Sequence, residues 1–102
     1  MKQITVDIYT ITTVDNTAVE TLLHSAVSGV IERNKDVISF IVVKESAERS
    51  AKTKEYLFTP DILLSDAASG QYLRSTDDET FLIVDVEDFE SHNEILCREV
   101  KT

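Results

Sequence analysis

Residues 17–32, TAVETLLHSAVSGVIE, decide how the rest of the chain is read. The apolar pairs Ala18/Val19, Leu22/Leu23, Ala26/Val27 and Val30/Ile31 recur every four residues, while Glu20, His24, Ser28 and Glu32 fall between them. That spacing lays one broad apolar stripe along an α-helix. Asp15-Asn16-Thr17 stand before it, and Thr17 with Glu20 three residues on matches a capping box. Asn34 supplies a left-handed stop. The stretch therefore predicts a long amphipathic helix lying across a sheet and supplying much of the core.

On its C-terminal side, Val37-Ile38-Ser39-Phe40-Ile41-Val42-Val43 is an almost unbroken run of β-branched and aromatic residues between Asp36 and Lys44. Such a run reads as a strand covered on both faces, and it takes the central place in the predicted sheet. On the N-terminal side, Ile4, Val6 and Ile8 alternate with Thr5, Asp7 and Tyr9, which predicts a half-buried strand from Gln3 to Thr12 beside it. Residues 45–55 are polar almost throughout and read as a loop or a solvent-facing helix. Tyr56-Leu57-Phe58 forms a short strand, and Thr59-Pro60-Asp61 has the N-cap, first-turn proline and acid of a helix start, giving a short helix from Pro60 to Ser69 ended by Gly70.

Residues 71–74 and 80–86 flank the polar Ser75-Thr76-Asp77-Asp78 and read as a hairpin, with Leu82, Val84 and Val86 toward the core. Ser91 and Glu94 repeat the capping-box pattern ahead of Ile95-Leu96, with Phe89 as a hydrophobic staple, which predicts a terminal helix to Val100. The predicted fold class is α+β: a mixed, partly antiparallel sheet of four to five strands, with one long and two shorter helices packed mainly on one face.

The 102 residues fit one domain, large enough to fold without a metal, disulfide or cofactor. The lone Cys97 has no intramolecular partner, the N-terminus has a strand pattern rather than that of a leader peptide, and no apolar segment is long enough to cross a bilayer as a helix. A soluble, cytoplasmic protein is expected. The net charge of −9 is uneven: residues 1–58 carry eight acids and seven bases, whereas residues 59–102 carry eleven acids and three bases. That balance disfavours direct binding to nucleic acid or to an anionic membrane, where Lys and Arg make the phosphate contacts, and favours a basic protein partner.

No set of residues converges on catalysis. His24 follows Glu20 by four positions but has no nucleophile near it in sequence. His92 and Cys97 are five apart, about 140° around a helix, so they cannot form a thiolate–imidazole pair there. The acids at 77–90 lack the glycine-bearing calcium loop, and glycine-rich phosphate loops and nucleophile motifs are missing. No metal or cofactor is expected, and the protein reads as non-enzymatic.

The acidic stretch is the remaining feature. Asp77, Asp78, Glu79, Asp85, Glu87, Asp88 and Glu90 form rows of negative charge able to meet Lys and Arg of a partner, with Tyr72, Phe81 and Phe89 as aromatic anchors. The expected function is binding, with inhibition, of a basic nucleic-acid-handling protein. That expectation covers DNA-mimic inhibitors of the anti-restriction or anti-CRISPR kind and immunity or antitoxin proteins. The alternative is a self-associating structural subunit that forms a homodimer through a patch at Phe81 and Ile83.

Overall fold

The computed structural model describes residues 1–34, 41–43, 47–49 and 54–100. The residues that predict the long helix form a strand instead. Lys2–Val14 (β1) and Thr17–Asn34 (β2) pair antiparallel from Lys2↔Ile31 to Val14↔Thr17. Asp15 and Asn16, expected to cap a helix, make a two-residue turn with φ of 51° and 63°. Two positive φ values in a two-residue loop match the twist of the flanking strands, so a tight hairpin wins over a helix start.

The four-residue recurrence in β2 is that of every second residue on one strand face, interrupted by two bulges. Between Val6↔Val27 and Ile8↔His24, β2 advances three residues against two on β1; between Ile8 and Tyr9 it advances two against one. Each extra residue shifts the side-chain alternation locally, while Leu23, Val27 and Ile31, four residues apart and so two alternation periods from one another, pack on the core. Ala26 takes φ of 55° in the first bulge, and its N–H donates to Asp7 Oδ1 at 3.0 Å. The β-branched content of this stretch was the sequence signal for a strand.

Ile41–Val43 (β3) pairs antiparallel with Ala47–Arg49 (β4) in a separate two-stranded sheet, so the expected central strand is not central; Val37 to Phe40 lie outside the described residues. Much of the expected polar loop or helix at 45–55 also lies outside them. Glu55–Pro60 (β5), Tyr72–Ser75 (β6), Thr80–Asp88 (β7) and Asn93–Val100 (β8) complete the main body. The strand order β1-β2-β5-β8-β7-β6 closes on itself, and every pair is antiparallel. The α+β expectation is thus corrected to an all-β, six-stranded closed barrel, with no helix among the described residues.

The predicted helix at 60–69 is a connection. Pro60 ends β5, and residues 61–71 run from β5 to β6, which are not neighbours in the barrel. Ile62 and Leu63 are exposed, and Leu64 enters the core at 2% exposure. An apolar triplet of which one member is buried has no helical stripe to form. The predicted terminal helix is β8, where Asn93, Ile95 and Cys97 are buried and Glu94, Leu96 and Arg98 are half-buried. That is period two, masked in the sequence by the outward Leu96.

All six barrel strands feed the core: Val6 and Ile8, Val27 and Ile31, Phe58, Leu73, Phe81 and Ile83, then Ile95 and Cys97, with Leu64 closing one end. Burying side chains of this size contributes about 1.5–3 kcal/mol each. The expected facing of β7 is reversed over its first half. Phe81 and Ile83 point inward and Leu82 is half-buried outside, while a bulge between Ile83 and Asp85 returns Val86 to the core. The apolar dimer patch expected at Phe81 and Ile83 is therefore interior.

Asn93, fully buried, ties two connections together. Its Oδ1 accepts from Leu64 N at 2.6 Å and its Nδ2 donates to Asp88 Oδ1. Cys97 is buried under β5, with Sγ donating to the Tyr56 carbonyl at 3.5 Å, and burial pushes its pKa up to about 12. Alkylating reagents need the thiolate, so the native protein should resist iodoacetamide at neutral pH and react at once in denaturant. Native labelling at the denatured rate contradicts this packing. Since an unfolded cysteine ionises near pH 8.5, the raised folded pKa gives stability that is complete below about pH 8.5 and is lost as pH rises toward about 12.

Candidate functional site

The barrel distributes the acidic residues between its two ends. Asp77, Asp78 and Glu79 occupy the β6–β7 turn, where Asp78 takes φ of 61° and Ser75 organises the backbone. Its Oγ accepts from Asp77 N and Glu79 N at 3.3 and 3.2 Å, and its carbonyl accepts from Asp78 N at 3.0 Å. Lys2 Nζ lies 3.6 Å from Asp77 Oδ2. Glu79 borders the open mouth of the barrel, a cavity of about 250 Å³ that Tyr56, Phe81, Ile4 and Ile31 also line. Tyr56 is pushed above the usual tyrosine range, first by burial and then by the charge of Glu99.

Asp85, Glu87, Asp88 and Glu90 lie at the other end of β7. Eight residues of strand separate Glu87 from Glu79, roughly 27 Å at about 3.4 Å per residue. The two groups therefore do not merge into one row. At the far end β7 has left β6 behind, since their pairing stops at Leu82, and residues 85–88 pair with β8 alone. The result is a hairpin tip free of β6 and held to the β5–β6 connection through Asn93 and Leu64.

In that tip Glu87 stands directly opposite Glu94. Directly opposed residues have Cβ atoms about 4.5–5.5 Å apart, and like charges so placed are destabilising. Glu94 is relieved by His92, whose Nε2 lies 3.0 Å from its Oε2; Nε2–H donates there, leaving Nδ1 to accept from the Ser91 hydroxyl at 2.9 Å. His92 also stacks on Phe89, with ring centroids 4.8 Å apart and planes 12° from parallel. Phe89 is 44% exposed. Asp88 holds Asn93, while among the described residues no ion pair or side-chain hydrogen bond engages Asp85, Glu87 or Glu90.

The three aromatic residues singled out in the sequence have different fates. Phe89 is presented beside the acids. Phe81 is a core residue at 2% exposure, packed edge-on against Tyr56, and offers no surface to a partner. Tyr72 lies on the outer face of β6 and stacks on Tyr9 at 5.5 Å, away from the tip. Arg74 lies over the Tyr9 ring at 4.4 Å and reaches Glu20 at 2.8 Å, so Glu20 serves Arg74 and not His24. His24 bonds Asp66 at 2.6 Å, and that bond lowers the Asp66 pKa. The sequence places Glu94 only as a continuation of the acidic rows and misses His92 as a member of the tip, because a helical reading of residues 91–100 turns both away from Glu87.

Among the described residues no group of three His, Cys, Asp or Glu side chains is arranged to hold a metal ion, and no helix is long and apolar enough to cross a membrane. Comparison with known proteins finds no family model, no curated protein and no solved structure that matches this chain. The class it defines is structural: a closed six-stranded antiparallel barrel with an acidic hairpin tip.

Proposed function

We propose that the protein is a non-enzymatic binding protein whose β7–β8 tip engages, and thereby inhibits, a basic nucleic-acid-handling protein. The observation that carries this reading is the opposition of Glu87 and Glu94 on the hairpin tip, with Asp85, Asp88 and Glu90 around it and Phe89 exposed beside them. Like charges held opposite each other cost the free protein stability, and a cationic surface removes that cost on binding. Phe89, stacked on His92, is the aromatic anchor, and the carboxylates provide steering toward Lys and Arg. The turn acids Asp77, Asp78 and Glu79 lie outside the contact.

The test is affinity capture from lysate with wild type, a Glu87→Lys/Glu90→Lys variant and an Asp77→Lys control, at low and moderate salt. A basic partner held by wild type and by the control, released by salt and lost in the tip variant supports the reading. Relieving the repulsion should also leave Glu87→Gln more stable than wild type, by about 0.2–1 kcal/mol. A capture profile unchanged by the tip substitutions overturns the assignment.

A further inference from the structure

We infer that two copies of the chain associate through the outer edge of the β1–β2 arm, β1 pairing with β1 of the second copy about a two-fold axis. β6 covers β1 only from Val6 to Tyr9, and β5 covers β2 only from Gly29 to Asn34. The hairpin beyond Tyr9 therefore stands clear of the barrel, and every residue from 11 to 22 is exposed. Among the described residues, four of the eight exposed large apolar side chains, Ile11, Val14, Val19 and Leu22, are on this arm. A long, exposed, apolar strand edge is a template for pairing with another chain.

The turn fixes which groups face outward. In a two-residue hairpin loop the flanking residues, Val14 and Thr17, are a hydrogen-bonded pair, and such pairs alternate along the ladder. Thr10 and Thr12 therefore turn their N–H and C=O toward β2. Ile11 and Thr13 turn theirs away, toward an edge that no strand occupies among the described residues. Two copies of residues 10–14 placed antiparallel satisfy these groups mutually, Ile11 bonding Thr13 of the second copy and Thr13 bonding its Ile11. Thr12 then meets Thr12 on the axis.

Charge selects a second copy, and selects this edge. The chain carries −9, so two copies approach with least repulsion where charge is lowest. Residues 8–14 carry none. The opposite edge carries the charged Glu20, which Arg74 already engages at 2.8 Å, so a β2–β2 contact would bring that ion pair of both copies together. A β1–β2 pairing would leave edges open and propagate as a ring or filament. The β1–β1 contact closes on a two-fold axis with no charged residue in the paired stretch.

The experiment is light scattering with size exclusion over a wide concentration range. Wild type should elute as a dimer at high concentration, and Thr13→Pro, which removes one outward N–H while keeping every bond to β2, should elute as a monomer with an unchanged circular dichroism spectrum. Thr12→Lys alone and Thr12→Glu alone should be monomeric, and their mixture should regain the dimer mass, since only a two-fold contact places residue 12 opposite itself. The inference is overturned by a wild-type monomer at all concentrations, by a dimer that survives Thr13→Pro, or by a mixture of the two charge variants that stays monomeric.

Discussion

Gly29→Val is expected to leave the barrel largely unfolded at 37 °C, and Gly29→Ala to lower stability by about 1–3 kcal/mol. Gly29 lies on β2 opposite Ile4 on one side and Pro60 on the other, where the barrel wall bends over the Phe58 ring. A Cβ built there comes within 2.5 Å of the Thr59 carbonyl oxygen and within 2.7 Å of two Phe58 ring carbons. Neither neighbour yields easily. The carbonyl belongs to the strand that pairs with β2, and the ring is wholly buried. Against a total stability of about 5–15 kcal/mol the alanine cost is a large share, and at about 4–8 °C per kcal/mol it lowers the melting midpoint by roughly 4–24 °C. Circular dichroism melts of both variants check this; an alanine variant melting with wild type would mean that β2 and β5 do not approach each other as described.

Gly29 also shows how much of this fold the sequence disclosed. A glycine in a helical stripe passes as a tolerated weak point, whereas here it marks where a backbone and a ring come close to a strand. The regular strands were legible: alternation over Ile4, Val6 and Ile8 located β1, and Tyr56-Leu57-Phe58 located β5. The hairpin of β6 and β7 was placed to within a few residues. What failed were β2, whose period two bulges break, β8, whose intact period the outward Leu96 masks, and the connection at 61–71. Two bulges between Leu22 and Val27 break the alternation of β2, and the apolar pairs four residues apart then match a helical stripe, against which only the β-branched content points to a strand. With β2 misread, Asp15 and Asn16 became a cap, and the exposed arm was hidden inside a supposed core helix.

Of the candidate site, the acids and Phe89 could be named from composition and position, yet their division between two ends of the barrel could not. It depends on strand direction and on where β6 stops. Glu94 was recoverable from the alternation of Asn93, Ile95 and Cys97, which makes it an outward residue beside the hairpin turn. Phe81 was misassigned for a related reason: one residue of register decides whether a strand side chain is core or surface.

Phe58→Ala is the second variant with a large expected effect, a loss of about 3–5 kcal/mol. The ring is 0% exposed, and β5 lies between β2 and β8 with its neighbours paired on both sides, so the wall cannot collapse into the space the ring vacates. The cost should be read by urea unfolding as a lowered midpoint with an unchanged slope. The same variant tests the close contact with Gly29. Removing the ring deletes one of the two obstacles to a side chain at residue 29 and leaves the Thr59 carbonyl in place. Gly29→Ala should therefore cost less in the Phe58→Ala background than in wild type, with a coupling of about 0.5–3 kcal/mol, since contacting residues are not additive. Strict additivity would show that the ring and the β2 backbone do not touch, and would remove the packing that bends this wall of the barrel.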